Sequence, residues 1–299
     1  LQESLNPTPQ WLIDLGLRYD RSKFDLDSIQ SERYDYATGQ YVAGAGAFSV
    51  DKRFNLFSGR LGVSYALLPS INAFGTIAQS DQVPSDGELR ENPSLDQSTS
   101  TNYELGLKGR ARDWSFDTSV YYTKVQDEIV PVFEFGHTSF QNAGETDKKG
   151  FEFSGQYQVL PDLWLGGGYA YSDYTYEDFE EVVNGVPVDR SGNRIPYIPK
   201  HQYSLYADYR HPAGFKARLQ ANTWGAYYMD TANTEKYKGY NYITSLMLAY
   251  ARGPHSLALN VENLFNKRYA MEAKKDVRGK QYYYAATPRF AMLTYTYAF

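Results

Sequence analysis

Apolar and polar residues alternate with a period of two along most of this chain. Trp11, Ile13, Leu15, Leu17 and Tyr19 fall on one phase, and Asp14, Gly16, Arg18 and Asp20 on the other. Phe57, Leu61, Val63 and Tyr65 stand against Ser58, Arg60, Gly62 and Ser64; Phe215, Ala217, Leu219 and Ala221 stand against Lys216, Arg218, Gln220 and Asn222. The same division runs through 103–110, 114–123, 151–159 and 203–209. At the end of the sequence Ala291, Leu293, Tyr295, Tyr297 and Phe299 share a phase against Met292, Thr294, Thr296 and Ala298. Successive side chains of a strand point to opposite faces, so the pattern predicts an all-β, antiparallel chain of about twelve strands. In 71–79 neither face is clearly polar. The stretch 128–141 reads as part of a loop, although Val132-Phe133-Glu134-Phe135 could pair as an extra hairpin arm.

The connections come in two kinds. Short ones sit at Leu68-Pro69-Ser70, Ala111-Arg112-Asp113, Leu160-Pro161-Asp162, His211-Pro212-Ala213-Gly214 and Arg252-Gly253-Pro254. Long ones fall between them, at about 26–52, 80–99, 128–146, 174–200, 229–239 and 266–283. Strict alternation of tight turn and long loop is the layout of a transmembrane β-barrel of the outer-membrane type, with short periplasmic turns and long extracellular loops. The apolar phase then faces lipid and the polar phase the lumen. Several runs exceed the ~9–11 residues needed to cross the hydrocarbon layer, so the strands are expected to project beyond the outer surface. Trp11, Tyr65, Trp114, Tyr209 and Tyr250 fall at strand ends, where an aromatic girdle belongs. Twelve is an even number, which puts both ends of the chain on the periplasmic side.

Composition sharpens this picture. Mean hydropathy is -0.57 and the longest apolar run is Leu246 to Ala251, too short for a transmembrane helix. Yet 16% of the residues are aromatic, with 29 Tyr, the side chain favoured where one end of the ring is dry and the other wet. A net charge of -5 without basic clusters argues against a nucleic-acid partner. The absence of Cys removes disulfides, thiol nucleophiles and thiolate metal sites. His137, His201, His211 and His255 have no metal-binding spacing, and neither a Gly-x-Ser-x-Gly elbow nor a phosphate loop occurs. No metal site, cofactor or enzymatic activity is expected.

Several motifs occur in a telling order. Asn92-Pro93-Ser94-Leu95 precedes Tyr103-Glu104-Leu105-Gly106; then come Asn142-Ala143-Gly144 and Lys149-Gly150-Phe151-Glu152. Val261-Glu262-Asn263-Leu264-Phe265-Asn266-Lys267-Arg268-Tyr269 follows, and Thr287-Pro288-Arg289 leads to the terminal Phe299. From about Trp11 onward this order resembles the C-terminal barrel of TonB-dependent outer-membrane receptors of the ferric-siderophore type. The resemblance implies a 22-stranded barrel with a plugged lumen, of which residues 1–299 would be the C-terminal half. It implies residence in the bacterial outer membrane, among lipid and lipopolysaccharide, and energised uptake of a ferric siderophore or similar scarce nutrient. The family's plug and its TonB-engaging segment lie at the N-terminal end and have no counterpart here, so TonB would be a partner only through that missing part. Leu5-Asn6-Pro7-Thr8-Pro9 reads as a periplasmic turn, as though the chain were cut between hairpins. The alternative is a self-contained small outer-membrane pore or adhesin.

Three loop stretches carry candidate chemistry. Glu177-Asp178-Phe179-Glu180-Glu181 could offer oxygen ligands to a divalent cation or be a solvated acidic loop. Arg190, Arg194 and Tyr197 form the second stretch; Arg278 with Tyr282, Tyr283 and Tyr284 forms the third, joined by Lys280. Guanidinium charge beside phenol rings suits an anionic, aromatic ferric chelate, although Tyr282 to Tyr284 are equally readable as girdle residues. Arg18, Arg60, Lys108, Lys216 and Arg218 would face a plug or water in the lumen. The resemblance also makes Leu293, Tyr295, Tyr297 and Phe299 the signal read by the barrel assembly machinery. Asn263 lies in phase with Leu259 and Val261, so the strand is expected to leave the membrane or bulge there. The sheet is expected either to close on itself or to form a half shell with bare edges.

Overall fold

Proline, glycine and asparagine divide the chain into long strands. The computed structural model describes residues 1–35, 39–44, 46–134, 137–183 and 186–299. Thirteen strands form one sheet in chain order: β1 (Gln2–Leu5), β2 (Trp11–Gln30), β3 (Gly46–Leu68), β4 (Ile71–Gln82), β5 (Ser98–Arg110), β6 (Trp114–Gln126), β7 (Glu145–Leu160), β8 (Leu163–Asp178), β9 (His201–Arg210), β10 (Phe215–Trp224), β11 (Tyr240–Arg252), β12 (His255–Glu262) and β13 (Phe290–Tyr297). Every neighbouring pair is antiparallel. The connections alternate between 2–5 residues and 15 or more, with all the short ones at one end of the wall.

The strand count exceeds the expected twelve by one. Gln2–Leu5 pairs with Ile13–Gly16 of β2, and Asn6-Pro7-Thr8-Pro9 makes the turn between them, closed by the Trp11 amide on the Thr8 carbonyl at 3.2 Å. Proline has no N–H to give a ladder, so the pairing stops there; four residues are too few to show alternation. Leu1 therefore stands beside Leu17, its ammonium 2.9 Å from the Leu17 carbonyl, rather than at the short-turn end. β1 and β13 are the sheet's edges and do not pair with each other. The sheet is open; it does not close as a twelve-stranded barrel.

Register keeps the two faces distinct across the wall. Tyr209, Ala217, Leu248, Leu259 and Leu293 are successive cross-strand partners on one face, as are Phe215, Tyr250, Leu257 and Tyr295. On the other face, residues from Phe74 of β4 to Tyr240 of β11 line one 920 Å³ concavity with Glu104, Lys108, Asp117, Glu152 and Asn222. The polar face is thus concave and the apolar face convex. Residues two apart pair on the concave side, as in Arg210 with Asp208 at 3.0 and 3.1 Å and Gln220 with Asn222 at 3.1 Å.

The phase inverts partway up. On β2 the outward residues are apolar from Trp11 to Tyr19, a nine-residue span matching the ~9–11 that cross lipid, then charged at Arg21, Lys23, Asp25 and Asp27. Over that upper stretch Phe24 and Leu26 turn inward. Leu26 and Val50 are buried with Leu89 of helix α1 (Asp86–Glu91) and Leu95. Two further buried clusters, Val130, Val132, Ala143, Tyr176 and Phe179, and Tyr227, Met229, Tyr237 and Ala273, also lie at the long-loop end. A single-layered wall has no second layer to pack against and builds no core; the loops above it do.

Those loops are largely paired. Ile129–Glu134 pairs with His137–Asn142, so 128–141 forms the extra hairpin that the alternation of 132–135 allowed; Phe135 lies outside the described residues. Further hairpins join Glu180–Val183 to Val186–Asp189, Tyr227–Tyr228 to Lys236–Tyr237, and Ala270–Lys275 to Gln281–Ala285. Asn263 ends β12 rather than entering lipid. With φ of 47° it starts a tight turn; its amide donates to the Lys267 carbonyl and accepts from the Lys267 N–H, both at 2.9 Å. Asn266 at φ 50° accepts the Arg289 N–H at 3.0 Å. The Asn-Leu-Phe-Asn motif is a clasp between β12 and the approach to β13.

Candidate functional site

Residues of all three candidate loop stretches meet at the long-loop end. The hairpin from Glu180 to Asp189 folds back so that Arg190 lies against Glu181, with Arg190 Nε 2.7 Å from Glu181 Oε2. Thr231 Oγ1 donates to the other carboxylate oxygen at 2.7 Å. Glu181 is 1% exposed, so the 177–181 stretch is not a solvated acidic loop at this position. A carboxylate can sit there because both oxygens are bonded and a guanidinium faces it. Phe179 is buried as well, its ring tilted against that of Tyr176 at 4.7 Å. Among the described residues no group of three or more His, Asp or Glu is placed to hold a metal ion.

The hairpin of Ala270–Lys275 and Gln281–Ala285 brings the third stretch to the same place. Its tip is ordered by the buried Asp276, whose Oδ1 accepts from the Arg278 and Lys280 amides at 3.0 and 2.9 Å while Oδ2 accepts from the Tyr282 hydroxyl at 3.3 Å. Arg278 then lines a 350 Å³ cavity together with Arg190, Glu181, Tyr197, Phe133 and Asp230. Tyr197 is held at φ 68°, its amide on the Tyr228 carbonyl at 2.9 Å; burial pushes its hydroxyl above the usual phenol range. The Lys274 ammonium lies 5.4 to 5.8 Å from the ring centres of Phe133, Tyr197 and Tyr284, within the range of cation–π attraction.

Other candidates are placed differently. Arg194 turns away from the cavity to clamp the wall, bonding the Ser172 carbonyl at 2.9 Å and Asp173 at 3.4 Å, while its amide is received by Asn233 at 2.7 Å. Tyr282 packs edge-on against Phe133 at 5.0 Å, beside the cavity. Tyr283 points the other way, exposed against Tyr237. Thr231, Asp230, Lys274, Lys275 and Asp276 complete the surroundings and carry no sequence signal, since each gains its role from partners 40 or more residues away or from one hairpin tip. Leu293, Tyr295, Tyr297 and Phe299 all stand exposed on the convex face of the edge strand β13 or just past it, and His255 binds the Tyr295 hydroxyl at 2.7 Å.

A family model for the TonB dependent receptor-like β-barrel matches residues 1–264. The metal-pseudopaline receptor CntO of Pseudomonas aeruginosa is 24% identical over 277 residues, covering 90% of this chain and 36% of the relative. The probable TonB-dependent siderophore receptor PiuA of Acinetobacter baumannii is 25% identical over 284 residues, 91% of this chain and 37% of the relative. The crystal structure of that siderophore receptor superposes with a TM-score of 0.77 at 22% identity, over 99% of this chain and 42% of the other. The ferric yersiniabactin uptake receptor FyuA from Yersinia pestis gives 0.71 at 19%, over 99% and 44%. The chain spans little more than a third of the length of these curated relatives, which are transport receptors and not enzymes. An open antiparallel wall with lipid-type and lumen-type faces, tight turns at one end and folded loops at the other, matched over 1–264 by that model, makes this chain a member of the TonB-dependent receptor-like β-barrel family.

Proposed function

We propose that this chain is the C-terminal barrel portion of an outer-membrane receptor that takes up a ferric siderophore or similar metal chelate, with its ligand contact at the cavity of Arg190, Tyr197 and Arg278. The observation that carries this is their convergence, from loops more than 80 residues apart, on one 350 Å³ cavity at the long-loop end. Two guanidinium groups and two rings offer charge and stacking to an anionic aromatic chelate. The names of the relatives, receptors for metal-pseudopaline and siderophores, support the same class. Tyr282 packs on Phe133 of the lining and Tyr284 lies under Lys274, while Arg194 clamps the wall nearby. TonB engages the receptor only through residues outside this sequence, and the concave face is the surface a plug would meet. In the same reading Leu293, Tyr295, Tyr297 and Phe299 present the edge that the barrel assembly machinery takes up. The deciding experiment replaces Arg278 by Ala in the receptor and titrates ferric tris(catecholate) by tyrosine fluorescence. Affinity falls at least about tenfold with membrane insertion unchanged; unaltered affinity overturns the assignment.

A further inference from the structure

The hairpin of Ala270–Lys275 and Gln281–Ala285 sends two adjacent lysines to opposite faces, because side chains alternate along a strand. Lys275 lines the cavity, bonds the Thr234 hydroxyl at 2.9 Å and lies 3.3 Å from Glu235 and 3.9 Å from Asp230. Two carboxylates thus offset its charge. Lys274 shares the other face with Glu272, opposite Tyr282 in the register, while Glu272 stands opposite Tyr284. Its ammonium lies over three rings, 5.4 Å from the centre of Phe133, 5.6 Å from Tyr197 and 5.8 Å from Tyr284. Those rings come from three different connections between wall strands.

Phe133 and Tyr197 also line the 350 Å³ cavity, and Lys274 stands one layer out from that lining. The Lys274 side chain is 19% exposed, whereas that of Glu272, 3.1 Å away, is 41% exposed. Water and salt screen the carboxylate more than the ammonium, so the rings feel chiefly the positive charge. The face of a neutral arene is negative and repels a second electron-rich ring. An ammonium over a ring draws on that negative charge and leaves the ring better able to stack on an electron-rich, anionic partner. Tyr282, edge-on to Phe133 at 5.0 Å, lies under the Lys280 ammonium at 5.3 Å in the same way.

We propose that Lys274 sets the cavity's preference for electron-rich, anionic rings of the catecholate type, acting through Phe133 and Tyr197 as a positioning residue. This deepens, and rests on, the reading of the cavity as the ligand contact. Calorimetry on the receptor compares two chelates of equal charge, ferric tris(methylcatecholate) and ferric tris(nitrocatecholate), whose rings are rich and poor in electrons. The unaltered receptor favours the methyl chelate. Lys274→Met, which keeps the apolar stem, lowers the ratio of the two affinities about fivefold, and Lys274→Arg keeps the ratio. Because each variant is compared with itself, partial folding does not move this readout. An unchanged ratio in Lys274→Met, or an equal loss in Lys274→Arg, overturns the role. Arg278→Ala weakens both chelates without moving the ratio; unaltered affinity in that variant overturns the ligand assignment beneath it.

Discussion

The hydroxyls of Tyr121 on β6 and Tyr174 on β8 lie 2.7 Å apart, across the intervening strand β7. They meet because Gly150 of β7 has no side chain: Tyr121 lies flat over it, where any Cβ would overlap the ring. Tyr206 of β9 crosses Gly166 in the same way to reach Gln156 at 3.0 Å. Each aromatic ring ties three strands on the concave face, where no core exists to hold them.

Gly150→Ala is expected to displace Tyr121 and cost about 1–3 kcal/mol, the usual range for overpacking. Tyr121→Phe keeps the ring and gives up one hydrogen bond, about 1 kcal/mol. Urea unfolding of the refolded protein ranks the two; a Gly150→Ala loss no larger than that of Tyr121→Phe would show that ring placement is unimportant.

Glu181→Ala leaves the Arg190 guanidinium, 17% exposed, without its carboxylate, and is expected to cost the loop cluster about 3 kcal/mol. Glu181→Gln, which can still accept a hydrogen bond, costs less. Proteolysis should open 181–197 and 225–239 first, with exchange in β5 to β10 unchanged. Simultaneous loss of wall protection contradicts a separate loop cluster.

Alkali should release the same end of the molecule. Burial raises the Tyr227 hydroxyl to about 12 from its ordinary 10.0, and Tyr197 and Tyr237 shift upward for the same reason. Below pH 10 both folded and unfolded chains keep these protons and the full stability is present. Above it the unfolded chain ionises first, so stability is lost as pH rises toward about 12. Tyrosinate absorbance should appear together with tryptic cleavage at Lys274 and Lys275; ionisation without cleavage contradicts the linkage.

Spin labels at Lys216 and Leu219 probe the wall itself. Leu219 stands between Ala207 and Leu246 on the convex face, and Lys216 beside Arg210 on the other. In bilayers the label at 219 should report lipid and the label at 216 water. The opposite pattern overturns the facing of the whole sheet.

Much of the wall was legible because a single sheet with one apolar and one polar face keeps a period of two with few exceptions, as 215–222 illustrate. The same rule hid the inversion on β2: Phe24 and Leu26 lie on the polar phase of Trp11 to Tyr19 and join the loop core because α1 and the neighbouring loop cover the concave side at that height. Gln2–Leu5 was too short to alternate. At the candidate site, Arg190, Tyr197 and Arg278 were visible as residue types suited to a chelate. Their partners were not, because Glu181 and Thr231 are 50 residues apart and nothing local marks them as neighbours. Asn263 was legible as a misfit in a lipid-facing phase, and the turn it makes explains it.

The order of the thirteen strands carries a rule of parity. Because every neighbour is antiparallel, β1 and β13 run in the same direction, and a ladder between them would be the single parallel pair in the wall. An all-antiparallel circuit through these edges needs an odd number of intervening strands. A wall of about 22, the size of plugged outer-membrane transporters, leaves about nine, which is odd. A design that circularises this wall should therefore add or remove a single strand, and excising β1 is the smallest such change.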